Sequence, residues 1–217
     1  MRRVVTVVLA AGLLIAGIGA PADAKKAKGV KTVLYLHGTS GFGEEDSFVH
    51  NSDFLPMDVK KPTGSSKSKQ ITNYVVGPNV NCAGNNLFPV WIGNVSGKIT
   101  GDIKVTFPTQ GTPGTILIRV WPDTAADGAA LCNESYPKPA GEVEASLGAT
   151  VEAVIPKVNF TAKSFLLFQV SPVIEFDIPD PGGAILSPFV ARIQYDSPDA
   201  PASIEFTCTP TKGKSCA

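Results

Sequence analysis

The chain has 217 residues, and its 19 Lys and Arg are balanced by 19 Asp and Glu. Charged residues make up only 18%, hydrophobic residues 43%, and 21 Gly and 18 Pro punctuate the sequence. Such a chain is too apolar to be disordered and too neutral to bind nucleic acid by neutralising phosphates. It is also too broken by Gly and Pro for a helical bundle.

The N-terminus carries the most specific signal. Arg2 and Arg3 precede an apolar run from Val4 to Ile18, interrupted only by Thr6, and Ala22-Asp23-Ala24 follows as a small-x-small site. This is the pattern of a signal peptide over residues 1–24, cut after Ala24, with a cut after Ala20 as the alternative. The expected product is secreted or extracellular, with no membrane span in the mature chain. Residues 25–30 are a basic tail, 31–210 a single domain, and 211–217 a C-terminal tail.

An exported chain with four cysteines, Cys82, Cys132, Cys208 and Cys216, reads as holding two disulfides, with three possible connectivities. The preferred pairing is Cys208–Cys216 and Cys82–Cys132. Pro210 and Gly213 allow the tail to turn back on Cys208, while Cys82 and Cys132 lie in two loop-like segments. No C-x-x-C spacing occurs, and neither His37 nor His50 flanks a cysteine, so a structural zinc site is not expected.

From Thr32 onward the dominant period is two. Strands are expected at Thr32–His37, Gln70–Val76, Pro89–Val95, Ile99–Phe107, Thr115–Trp121, Ser164–Val170, Phe189–Tyr195 and Ser203–Cys208. In Ile99–Phe107, the residues Ile99, Ile103, Val105 and Phe107 share one face and Thr100, Asp102, Lys104 and Thr106 the other. Gln110-Gly-Thr-Pro-Gly114 is turn chemistry, so this strand and Thr115–Trp121 are expected to form a hairpin. Gly141 to Ile155 fits both a strand and a helix period. Gly148, the β-branched pair Thr150-Val151 and Pro156 favour one or two strands, with a short helix as the alternative. The expected fold is all-β: a single antiparallel β-sandwich of jelly-roll type, with nine or ten strands and little helix.

Four features bear on chemistry. Val33-Leu-Tyr-Leu-His37-Gly38 resembles the strand and His-Gly turn that supply oxyanion donors in α/β-hydrolases. No G-x-S-x-G elbow or late histidine follows, and in Gly93-Asn-Val-Ser96-Gly97 the serine falls one place too late. Glu44-Glu45-Asp46 after the first strand, with Asp196 brought near by the closing strands, could hold a structural Ca²⁺; a solvated acidic loop is the commoner meaning of such a run. No other cofactor is expected. Trp91, Trp121 and Tyr136 are the aromatics to test as stacking platforms for a sugar ring. Glu144 and Glu152, a conceivable glycosidase pair, lie among alternating apolar residues on what reads as a solvent face.

Taken together, the export signal, the strand Thr32-Val-Leu-Tyr-Leu-His-Gly38, the acidic loop after it, and the closing pair Arg192-Ile-Gln-Tyr-Asp-Ser197 and Pro201-Ala-Ser-Ile-Glu-Phe206 resemble secreted bacterial β-sandwich proteins of jelly-roll, carbohydrate-binding-module-like type. The resemblance implies a non-catalytic surface or extracellular binding module whose partner is a glycan or a cell-surface component. The alternatives are a structural or adhesive envelope protein without a small ligand, and a secreted hydrolase built on the His37-Gly38 turn. No enzyme is expected, because no nucleophile–base–acid set can be assembled. No nucleic-acid partner is expected, and the sequence leaves the oligomeric state open.

Overall fold

The computed structural model describes residues 28–38, 45–46, 54–72, 90–111, 113–123, 138–173, 190–199, 201–211 and 215–217. Among them there are 12 strands and no helix. The strands are β1 (Val30–Leu36), β2 (Glu45–Asp46), β3 (Leu55–Asp58), β4 (Lys67–Thr72), β5 (Val90–Asn94), β6 (Gly97–Gly111), β7 (Thr115–Pro122), β8 (Gly141–Ser146), β9 (Thr150–Ala162), β10 (Phe165–Pro172), β11 (Val190–Tyr195) and β12 (Ser203–Pro210). The expected all-β, sandwich-like architecture is what the chain adopts. Its strands exceed the nine or ten read from the sequence because the short β2 and β3 have too few residues to show a period.

Hydrogen bonding runs β9–β6–β12–β1 in one layer and β5–β10–β7–β8 in the other. β3 links them, antiparallel to β1 and parallel to β5. Beyond the start of β12, the last residues of β6 pair with β11, which pairs in turn with β4, and β4 with the parallel β2. Inward side chains alternate as the period of two requires: Leu34 and Leu36 from β1, Ile99, Ile103, Val105 and Phe107 from β6, Ile116, Ile118 and Val120 from β7, and Leu166, Phe168 and Val170 from β10 are all buried in one core.

The hairpin expected between Ile99–Phe107 and Thr115–Trp121 does not form. β6 pairs with β9, β11 and β12, whereas β7 pairs with β8 and β10. The turn residues do reverse the chain, but into the opposite layer, so the two apolar faces meet across the core instead of lying side by side. Turn chemistry specifies a change of direction and not the partner.

Gly141 to Ile155 is two strands, and the second runs past Pro156 to Ala162. Proline is tolerated because the ladder is interrupted there. Ile155 pairs with Ile103 and Val158 with Gly101, leaving Pro156 and Lys157 opposite Asp102. Lys157 has φ 54°, and its N–H donates to Asp102 Oδ1 at 3.1 Å, so the bulge keeps its backbone donor satisfied.

The C-terminal disulfide is the one expected. Cys208 and Cys216 are bonded, with Cα atoms 6.1 Å apart. Ser96 N–H donates to Cys216 O, and Thr211 N–H to Ser96 O, so the tail is tied to the start of β6. Cys82 and Cys132 lie outside the described residues.

Asp123 (φ 47°) closes the β9–β10 turn. Its carboxylate accepts from the N–H groups of Lys163, Ser164 (2.6 Å) and Phe165 (3.0 Å). Hydrogen bonds to a charged group each contribute about 1.5–3 kcal/mol when desolvated. Because this carboxylate is only partly buried, Asp123→Ala is expected to cost about 2 kcal/mol, and Asp123→Asn less. Urea midpoints with unchanged slopes would register it; a loss below about 0.5 kcal/mol would show that the turn holds without its carboxylate.

Candidate functional site

The polar groups that converge among the described residues do so where β1 ends. His37 leaves the sheet between β3 and the loop after β11. Its Nδ1 lies 2.9 Å from Asp196 Oδ1, and its Nε2 lies 3.1 Å from the carbonyl oxygen of Lys60 and 3.3 Å from Asp58 Oδ1. A carboxylate only accepts, so Nδ1 carries the hydrogen toward Asp196. Gly38 N–H donates to Asp196 Oδ2 at 3.2 Å, and Lys67 Nζ stands 3.9 Å from the same oxygen.

Local chain geometry aims each of these groups. Asp196 follows the last residue of β11 with φ 61°, a left-handed conformation that Asp tolerates better than most residues, and this kink turns its carboxylate back onto β1. Asp58 ends β3, and its Oδ1 accepts from Lys60 N–H at 2.7 Å; this Asx turn presents the Lys60 carbonyl to His37. Below the ring, Trp91 Nε1–H donates to His37 O at 3.3 Å and Trp91 packs edge-on to Tyr195, with centroids 5.5 Å apart.

Among the described residues this arrangement does not include the nucleophile that a hydrolase centre needs. A His–Asp pair works as a general base only if the far nitrogen can take a proton from a nucleophile. Here Nε2 faces the Lys60 carbonyl and Asp58, and no hydroxyl or thiol is placed against it among the described residues.

Asp58 also starts a second arrangement on the outer face of the β1 layer. Strand register aligns Asp58 (β3), Tyr35 (β1), Ser203 (β12), Thr106 (β6) and Glu152 (β9) in one row. None of the five is buried. At about 4.8 Å per strand the row spans about 19 Å. Beside it, Glu205 and Lys104 pair in register, with Lys31 Nζ 2.8 Å from Glu205 Oε2, and beyond them lie Thr207, Thr100 and Asn159. Lys31, Lys98 and Lys104 stand against Asp58, Asp102, Glu152 and Glu205, so the face carries a small excess of negative charge.

The residues singled out from the sequence fare differently. Trp91 has no exposed surface and packs against Phe168 and Tyr195; it is a core residue and cannot stack on a ligand. Trp121 is 4% exposed and packs with Val90 and Leu167 on the outer side of the β5–β10–β7 layer, so it is no open platform either. Both corrections have one cause: that layer buries side chains on both faces, which alternation within a single strand cannot reveal. Tyr136 and Glu44 lie outside the described residues. Glu45 and Asp46 form β2, in register with Ser68 and Lys69. Asp196 does come to the first strand, but both its oxygens are turned to His37 and Gly38. Among the described residues no three His, Cys, Asp or Glu side chains gather to hold a metal ion. Glu144 and Glu152 are exposed on β8 and β9. Asp58 and Lys60 belong to no sequence motif and were missed; the local signal was the Asx turn at Asp58-Val-Lys60.

No family model matches the chain, and no curated protein matches it. Among solved structures, the chain is similar to a CocE/NonD family hydrolase from Staphylococcus aureus, with TM-score 0.50 and 9% identity over 84% of this chain and 37% of that one. An α-amino acid ester hydrolase aligns with TM-score 0.45 and 12% identity, over 81% of this chain and 36% of that one. The chain thus spans little more than a third of the length of these proteins, and the first of them shows a shared fold alone.

Proposed function

We propose that this protein is a secreted, non-catalytic β-sandwich module that binds neutral, hydroxyl-rich glycans across the outer face of the β3–β1–β12–β6–β9 layer. The observation that supports it is the in-register row Asp58–Tyr35–Ser203–Thr106–Glu152. Sugar hydroxyls donate and accept at once. The row offers hydroxyls that do the same, flanked by carboxylates that accept strongly, and Tyr35 adds an aromatic edge. With three lysines against four carboxylates, the face favours an uncharged ligand over a polyanion. The occupied far nitrogen of His37 speaks against a hydrolytic role for the neighbouring cluster.

A glycan array probed with the purified protein is expected to retain neutral oligosaccharides. Tyr35→Ala combined with Thr106→Val should weaken that binding by about tenfold or more, as expected for removing a central aromatic contact, without altering the thermal midpoint by more than a few degrees. Retention of anionic glycans alone, or binding indifferent to these substitutions, would contradict the assignment.

A further inference from the structure

We infer that the first half of β1 takes up an extended acidic peptide segment as an added strand. Strand parity comes first. Leu36 N–H donates to Ala202 O, which continues the register of Leu34 with Ile204, so the even-numbered residues of β1 turn their backbone groups toward β12. The odd-numbered residues turn theirs to the other side, where His37 N–H donates to Pro56 O and Tyr35 pairs with Asp58 of β3. β3 stops at Asp58, and its ladder with β1 covers only Tyr35 and Leu36. The N–H and C=O groups of Lys31 and Val33 therefore face an edge on which no described strand lies. Such a row of unpaired donors and acceptors is a template for another extended chain.

Beside this edge runs a groove of about 380 Å³, lined by Val30, Thr32, Val33, Val59, Pro210 and Cys216 among others. Val30 and Val59 are each 54% exposed there. A strand laid antiparallel to β1, the sense that β3 already has, would alternate its side chains between two faces. Those level with Thr32 would enter the groove and should be apolar. Those level with Lys31 and Val33 would point outward, and charge decides their kind. Lys28 precedes β1, Lys31 lies on the open edge, and Lys60 and Lys61 follow Val59; all four are exposed. The described carboxylate side chains beside them are Asp58 and Glu205, and both are engaged: Asp58 accepts from Lys60 N–H, and Glu205 Oε2 lies 2.8 Å from Lys31 Nζ. Four lysines against two carboxylates suit an occupant with acidic residues at its outward positions, where they would stand across the ladder from Lys31.

The probe is a blocked seven-residue peptide of alternating valine and glutamate, titrated calorimetrically into the purified full chain. Saturable one-to-one binding is expected. N-methylation of its glutamates, whose N–H groups would face β1, should abolish binding, whereas N-methylation of its inner valines, whose N–H groups would face away, should weaken it by less than about threefold. The same peptide with lysine in place of glutamate should bind at least about tenfold more weakly, and Lys31→Gln combined with Lys60→Gln should narrow that difference. Val59→Asp, at an exposed position where folding should survive, is expected to weaken binding of the valine–glutamate peptide about tenfold. No saturable binding, equal binding of the lysine peptide, or equal losses from the two methylation patterns would overturn the assignment. So would a dimer of the unliganded protein that Val59→Asp splits on sedimentation, because the edge would then belong to a second copy of the chain.

Discussion

Trp91→Ala is expected to remove about 4 kcal/mol of stability, within the range for deleting a large aromatic from a packed core. Trp91 has no exposed surface. It stands in register with Leu55 of β3 and Phe168 of β10, touches the rings of Phe168 and Tyr195, and donates its indole hydrogen to His37. One side chain therefore joins the strand that bridges the layers, the layer behind it, the end of β11 and the His37 cluster. Truncation opens a cavity and also orphans the His37 carbonyl. Since domains of this kind are stable by only about 5–15 kcal/mol, the variant should be partly unfolded on mild heating. Denaturant unfolding of the purified protein checks this; a loss under about 1.5 kcal/mol would mean that the surrounding strands collapse onto the space.

Gly97→Ala is the second large effect, and it depends on the disulfide. A Cβ at Gly97 would lie 2.5 Å from Cys208 Sγ, 2.6 Å from the Thr209 carbonyl oxygen and 3.1 Å from Cys216 Sγ. Gly97 begins β6 opposite Pro210, so the bridge is laid directly over its backbone. The substitution is expected to cost about 2–3 kcal/mol through forced displacement of β12 and its sulfur. Removing the sulfurs in Cys208→Ala/Cys216→Ala, itself expected to cost about 2–3 kcal/mol for so short a loop, should take away part of the clash. The triple variant should then be more stable than the sum of the separate losses requires. Strict additivity would show that the Thr209 carbonyl alone sets the penalty.

Much of this fold can be read from side-chain parity. Ile99, Ile103, Val105 and Phe107 are buried, while Lys98, Lys104 and the other even positions between them are not. Parity also puts Tyr35, Thr106 and Glu152 on outward faces. It says nothing about register, so the row they make with Ser203 and Asp58 emerges only once β1, β12, β6 and β9 are aligned. The β6–β7 hairpin failed for a related reason: two amphipathic strands joined by a five-residue turn fit a pair within one sheet and a step between layers equally well. The approach of Asp196 to the first strand was legible, because β12 pairs with β1 and draws the preceding loop toward its end. Its role in orienting His37 was not, since that depends on one left-handed φ angle and on an Asx turn in a four-residue strand.

The outer face of the β1 layer is the proposed binding surface. Amide chemical-shift mapping tests it most directly, using the neutral oligosaccharide that the protein retains best on a glycan array. Saturable shifts are expected, centred on Tyr35, Ser203, Thr106 and Glu152 and fading across Lys104 and Thr207, with little change at Leu117 and Arg119 of β7 in the opposite layer. Shifts centred on β7 and β10, or no neutral glycan bound at all, would contradict it.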